Sequence, residues 1–345
     1  MKTSVSRREL FRFVTAGAAG VAMGTLGGRR IPVALGAPVV PPASPPGAPH
    51  APAHGDAAGS VGEVNPKRAA IDPMRYLTHF DWGKETRLPG GRTLREYKLV
   101  ATDREVEVAP GVLFPAWTYN GQVPGPTLRA REDDRLRIHF INAGSHPHNI
   151  HFHGFHAAGM DGIEPIETGK SFVYEFDAEP FGLHLYHCHV LPIKRHIHKG
   201  LYGTFIIDPP QGRPPARELV MMMNGFDTNF DADNEVYAVN SIASFYMHEP
   251  VVVDVGRLVR IYLVNLTEFD PINSFHLHGM FFDVFRTGTR GMTEEHTDTL
   301  MLCQGERAIL ETRFRYPGDF MFHAHQSEFA ELGWMGLFRA RTAQS

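Results

Sequence analysis

From Ile71 onward, apolar and polar positions alternate in short runs cut by Gly, Pro, Asn and Asp. Arg135-Leu136-Arg137-Ile138-His139-Phe140 alternates strictly, and Leu258-Val259-Arg260-Ile261-Tyr262-Leu263-Val264 is nearly continuous in apolar residues. In a strand, residues i and i+2 share a face, so such runs predict β-strands. No amphipathic helical stretch of any length lies between them. The expected class is therefore all-β, closed as sandwiches or barrels. A Pro-rich break, Pro209-Pro210-Gln211-Gly212-Arg213-Pro214-Pro215, divides this region into halves of similar size, so two domains are expected at 71–210 and 211–345.

The front of the chain follows another pattern. Ser6-Arg7-Arg8-Glu9-Leu10-Phe11 precedes a weakly apolar stretch rich in Ala and Gly, Phe13 to Gly27, and resembles a twin-arginine export signal. That stretch falls short of the roughly 20 strongly apolar residues a membrane span needs. Residues 1–36 are expected to be a signal peptide, which implies a periplasmic or extracellular protein. Residues 37–70, dominated by Pro, Ala and Gly, read as an extended linker with too few large apolar side chains to bury anything.

Composition narrows the chemistry. The chain has 345 residues and a net charge of -4, which gives no basic field suited to nucleic acid or an anionic membrane. Twenty histidines stand against two cysteines, Cys188 and Cys303, so a disulfide framework is excluded. The histidines cluster, and the clusters repeat. His151-Phe152-His153-Gly154 and His276-Leu277-His278-Gly279 each follow a predicted strand, and His187-Cys188-His189 and His323-Ala324-His325 come later in each half. Two copies of one domain explain the repetition most simply.

Each His-x-His pair on a strand presents two imidazoles side by side. Four pairs give eight candidate ligands, and imidazole suits Cu, Zn and Fe. A cysteine thiolate flanked by histidines, with a weak axial partner, points to a blue-copper electron-transfer site.

On these motifs the chain resembles a two-domain multicopper oxidase, laccase-like and related to copper nitrite reductases, over roughly residues 75 to 340. The resemblance implies two cupredoxin-like Greek-key β-barrels and four coppers per chain. It assigns His151 and His276 to a type 2 copper, and His153, His187, His189, His278, His323 and His325 to a type 3 pair. His148, Cys188 and His196 would hold the type 1 (blue) copper, with His198 as the alternative to His196. The axial position falls on Leu201, which has no donor atom and should raise the reduction potential. The second half carries Asn273, Ala324 and Phe329 at the corresponding places, so one blue copper per chain is expected.

The implied reaction couples one-electron oxidation of a phenol-like or similar small reductant to four-electron reduction of dioxygen. Cys188, joined through the backbone to His187 and His189, would carry electrons, and Asp161 would orient ligands or relay protons, unless it is simply the aspartate of an Asp-Gly turn. Glu328 and Glu331 are weaker relay candidates. A nitrite reductase would place an aspartate where His151 stands. Oxidation of a metal ion such as Cu(I) is a further alternative, prompted by Met221-Met222-Met223, though those methionines fit core filling better. His146, His156 and His184 are expected in structural hydrogen bonds, and Cys303 as a buried free thiol. By the same resemblance, domain one of one subunit would face domain two of the next in a homotrimer, with the clusters at subunit interfaces.

Overall fold

The computed structural model describes residues 62–342 except position 70. The expected signal peptide, and all of the expected linker but residues 62–69, lie outside the described residues. The stretch 62–69 is docked: Ala69 bridges Glu107, and the Glu107 N–H donates to the Arg68 carbonyl at 2.7 Å.

The strands that the alternation predicts form four sheets in the described residues. Lys84–Arg87, Thr93–Ala109, Val112–Tyr119, Arg135–Asn142 and Ser171–Asp177 form the first, and Gly125–Arg131, His151–Phe152, Gly182–His187 and Tyr202–Asp208 form the second. Beyond the unpaired stretch after Asp208, six strands between Arg217 and Arg313 form the third sheet. Val251–Asp254, Ile272–Leu277, Thr299–Cys303, Gly318–His323 and Met335–Arg341 form the fourth.

In Arg135–Asn142 the sequence alternation becomes burial alternation. Leu136, Ile138 and Phe140 enter the core between the first two sheets, while Arg135 and Arg137 pair with Glu175 on the outer face. Other strands are covered on both faces. In Arg217–Phe226, Met221 and Met223 point into the second half's own core, and Met222 points into an apolar layer shared with the first half. That layer sets Val106, Phe114, Leu185 and Ile197 against Met222, Phe226, Tyr262 and Ile309. The methionine run is core, as its alternation suggests.

A buried ion cluster also crosses between the halves. Arg129 donates to Asp208 at 2.7 Å and to Glu218 at 2.7 Å, with its guanidinium 4.6 Å from the Phe80 ring centre. A buried arginine needs such partners, because an unpaired buried charge is strongly destabilising.

Two expectations are corrected. Cys303 is exposed rather than buried: on Thr299–Cys303, Leu300 and Leu302 take the inward face and leave Met301 and Cys303 outside. The segment that carries His196 and His198, where no helical stretch was expected, is a short helix, Ile193–His198. Another short helix, Ser327–Glu331, carries the exposed Glu328 and Glu331.

Candidate metal centres

His151 and His187 are directly paired across two antiparallel strands, and His276 and His323 are paired in the same way in the other half. Strand pairing thus converts sequence spacing into spatial convergence. His151, His153 and His187 offer ring nitrogens within 4.8 Å of one another, as do His276, His278 and His323. His189 joins the first group at 5.3 Å from the His151 ring centre, and His325 joins the second at 5.3 Å from His276.

The protein fixes several tautomers. His187 Nδ1 donates to the Cys188 carbonyl at 3.0 Å and His323 Nδ1 to the Ala324 carbonyl at 2.6 Å. His151 Nδ1 donates to the Asp161 carbonyl, and His276 Nδ1 to the Asp298 carbonyl, both at 2.9 Å. A carbonyl only accepts, so in these four rings Nδ1 carries the hydrogen and Nε2 presents its lone pair. Burial, reinforced by neighbouring imidazoles, pushes His153 down to about 2 and His187 down to about 4. Both are neutral at ordinary pH, the state a metal requires.

The two quartets differ in setting. In the first, His187 is buried and the others are half-buried, whereas His278 and His325 are exposed. Among the described residues, no hydrogen bond or close ring pair joins one quartet to the other.

His148, Cys188 and His196 form a third, fully buried group. His196 Nδ1 lies 3.2 Å from the Cys188 sulfur and 3.2 Å from His148 Nδ1. Burial, then neighbouring charge, holds His148 down at about 3 and His196 at about 4, and burial pushes the Cys188 thiol up to about 11. Two imidazole nitrogens and a thiol converge on one buried point. That donor set fits a copper ion, which would stabilise the thiolate. Leu201, completely buried, is tied by its backbone to both sides: its carbonyl accepts from Cys188 N–H at 2.9 Å and its N–H donates to His196 at 3.2 Å.

His198 faces elsewhere and accepts from the Asp227 N–H at 3.2 Å. On a helix, two residues are about 200° apart, so His196 and His198 cannot share a face. In the second half the equivalent positions carry no thiol or imidazole. Ala324 is buried, Phe329 stacks on Tyr237 at 4.1 Å between ring centres, and Asn273 donates to Thr267.

Asp161 sits beside the first quartet, with Oδ1 3.2 Å from His151 Nδ1. The turn that holds it needs glycine next: Gly162 has φ +72°, and a Cβ there would lie 2.1 Å from the Ile150 carbonyl oxygen. His156 donates to the Phe152 carbonyl at 2.9 Å, His184 to the Pro180 carbonyl at 2.8 Å, and His146 bonds Ser145 at 2.8 Å.

Some supporting residues escaped the sequence reading. Asn149 Oδ1 lies 3.5 Å from the Cys188 sulfur and accepts from the His189 N–H at 2.7 Å, and Ser274 Oγ accepts from the His325 N–H at 2.8 Å. Aligning the repeats, His148 with Asn273, puts Asn149 on Ser274 and would have found them. Asp298 had no such signal.

Two family models, both described as multicopper oxidase, match residues 101–212 and 213–344. A solved structure described as a multicopper oxidase is 57% identical, with a TM-score of 0.80, covering 81% of this chain and 100% of that one. The copper-containing nitrite reductase of Neisseria gonorrhoeae is 28% identical over 249 residues, 66% of this chain and 63% of that protein. The chain thus spans a little under two thirds of the length of such curated relatives. The solved copper nitrite reductase from Nitrosomonas europaea is 25% identical with a TM-score of 0.67, covering 72% of this chain and 94% of that one. The sheet pairs described above are cupredoxin-type barrels, as in these neighbours.

Proposed function

The chain belongs to the multicopper oxidase family, and from that premise we propose that it is an exported, laccase-like oxidase that couples oxidation of a small phenol-like reductant to reduction of dioxygen to water. The observation that carries this is the joining of two kinds of centre at Cys188. Its sulfur belongs to the buried group with His148 and His196, and its backbone neighbours are His187 and His189 of the first quartet. An electron accepted at the sulfur has a route of a few covalent bonds to the quartet.

His148, Cys188 and His196 would hold a type 1 copper with Leu201 at the axial place. His151 and His276 would hold a type 2 copper, and the other six histidines a type 3 pair. Copper bound there would supply one-electron storage, four electrons in all, the number dioxygen needs to become water. Asp161 would hold a proton against His151 or orient that ring. A quartet from each half is required, and among the described residues no hydrogen bond or close ring pair joins the two on a single chain. We therefore assign the complete site to the contact between subunits of a homotrimer, in which the exposed second quartet meets the first quartet of a neighbour. Exposed Phe155, Ile163, Ile272 and Phe281 lie close in sequence to the quartets and supply apolar surface for that contact.

Copper analysis with visible and EPR spectra, combined with oxygen and nitrite consumption assays, tests the proposal. Four coppers per chain, a strong blue band and oxygen uptake on a phenol are expected. Two coppers per chain with nitrite consumption would instead make it a nitrite reductase. Cys188→Ser should abolish the blue band and oxygen uptake and lower the copper count by one per chain.

A further inference from the structure

One face of the buried His148, Cys188 and His196 group is closed by Trp117. Its ring centre lies 5.1 Å from that of His148 and 4.9 Å from that of His196. Beyond the indole is a groove of about 340 Å³ lined by Asp103, Arg104, Glu105, Pro115, Ala116, Trp117 and Lys199. This is the size of a small-molecule site, and one side chain separates it from two proposed copper ligands.

The charges around the groove are unbalanced. Lys199 is only 8% exposed, and its ammonium lies 5.8 Å from the Trp117 ring centre and 5.1 Å from that of Phe114. Arg195 places its guanidinium 5.1 Å from the Trp117 ring centre, and Arg104 donates to the Gly121 and Ala69 carbonyls. Among the described residues, none of these three cations has a carboxylate within ion-pairing distance. Of the two acids, Glu105 is paired with Arg68 at 3.3 Å, and Asp103, which accepts from the Ser145 N–H at 3.1 Å, acts on Lys199 by its charge from beyond ion-pairing distance. A lysine this buried ordinarily has a counter-charge; Asp103 supplies it only at a distance, and with Arg104 also lining the groove, the groove is where a further anion would bind.

We propose that this groove is the reductant subsite and that it selects an anionic aromatic donor, a phenolate or an aromatic carboxylate bearing a phenol, with its negative charge on Lys199 and Arg104 and its ring toward Trp117. The inference rests on the oxidase function and adds the class of donor. With copper held by His148, Cys188 and His196, a phenolate bound against Trp117 would give up one electron to that centre and leave as a phenoxyl radical. Four such electrons, with four protons, would take one dioxygen to two waters. The cations act by charge and position, and Trp117 is the wall through which the electron passes.

The test uses the copper-loaded protein and two matched phenols, syringate and neutral 2,6-dimethoxyphenol. Lys199→Met should lower the ratio of kcat/KM for syringate to that for the neutral phenol on the order of tenfold, mostly through KM, and Lys199→Arg should restore it. An unchanged ratio would overturn the proposal. Arg104→Gln, a change at an exposed side chain, should shift the ratio in the same direction and serves if Lys199→Met fails to fold. Benzoate, which cannot be oxidised here, should quench tryptophan fluorescence on binding, with the quench lost in Lys199→Met and kept in Lys199→Arg. Benzoate binding that is absent from the wild type or indifferent to Lys199 also overturns it. If no donor supports oxygen uptake, the oxidase function fails, and the benzoate titration alone decides the subsite.

Discussion

Leucine at position 201 contributes shape but no donor atom, and its backbone is held by both Cys188 and His196. Leu201→Met would bring a thioether to the same place, where donation to Cu(II) stabilises the oxidised state. The type 1 potential should fall by about 60 mV, a tenfold change in the one-electron equilibrium, as read by redox titration of the blue band. The eight quartet histidines were legible because each His-x-His straddles a strand: His151, His187, His276 and His323 lie in strands, and His153, His189, His278 and His325 stand just past the strand ends. Choosing between His196 and His198 was not, since it depends on the segment being helical. Asp298 was equally hidden, 22 positions from the His276 it supports, brought there only by the pairing of Ile272–Leu277 with Thr299–Cys303.

Strands set the next scale. The alternation of Met221, Met222 and Met223 was readable as strand, but not that both faces would be covered, because the second cover is the other half of the molecule. Met222→Ala should cost about 2–5 kcal/mol and expose the Pro209–Pro215 stretch to protease. Met221→Ala should cost a similar amount without loosening the halves. Denaturant melts and limited proteolysis separate the two outcomes. On Gly182–His187, His184 is buried and donates to the Pro180 carbonyl, and burial holds it down at about 4 from an ordinary 6.5. The unfolded chain binds the extra proton between those values. The stability due to neutral His184 is therefore complete above about pH 6.5 and falls, by up to about 1.4 kcal/mol per pH unit, as pH drops toward 4. His184→Gln should flatten that slope in melts of the copper-free protein. The short helix Ile193–His198 was not legible: six residues are too few for a helical period to stand out against the surrounding strands.

For the whole molecule, the two halves, their all-β class and their internal repeat were visible in the spacing of the histidine motifs. The layer and ion cluster that join the halves were not, since Arg129, Asp208 and Glu218 look like ordinary surface charges until the chain folds. In the proposed ring each complete centre needs one intact quartet from each of two chains. His187→Ala and His323→Ala proteins should each be inactive alone. Mixed and reassembled in equal amounts, they should recover roughly a quarter of wild-type turnover, because a random ring leaves that share of interfaces with both quartets whole. No recovery in reassembled mixed rings would show that the quartets do not meet between chains. Building each centre from two chains, as proposed, would also act as an interlock. A subunit that strayed from the proposed ring would keep the port at Cys188 and lose the completed centre, so dilution or damage would silence oxygen reduction.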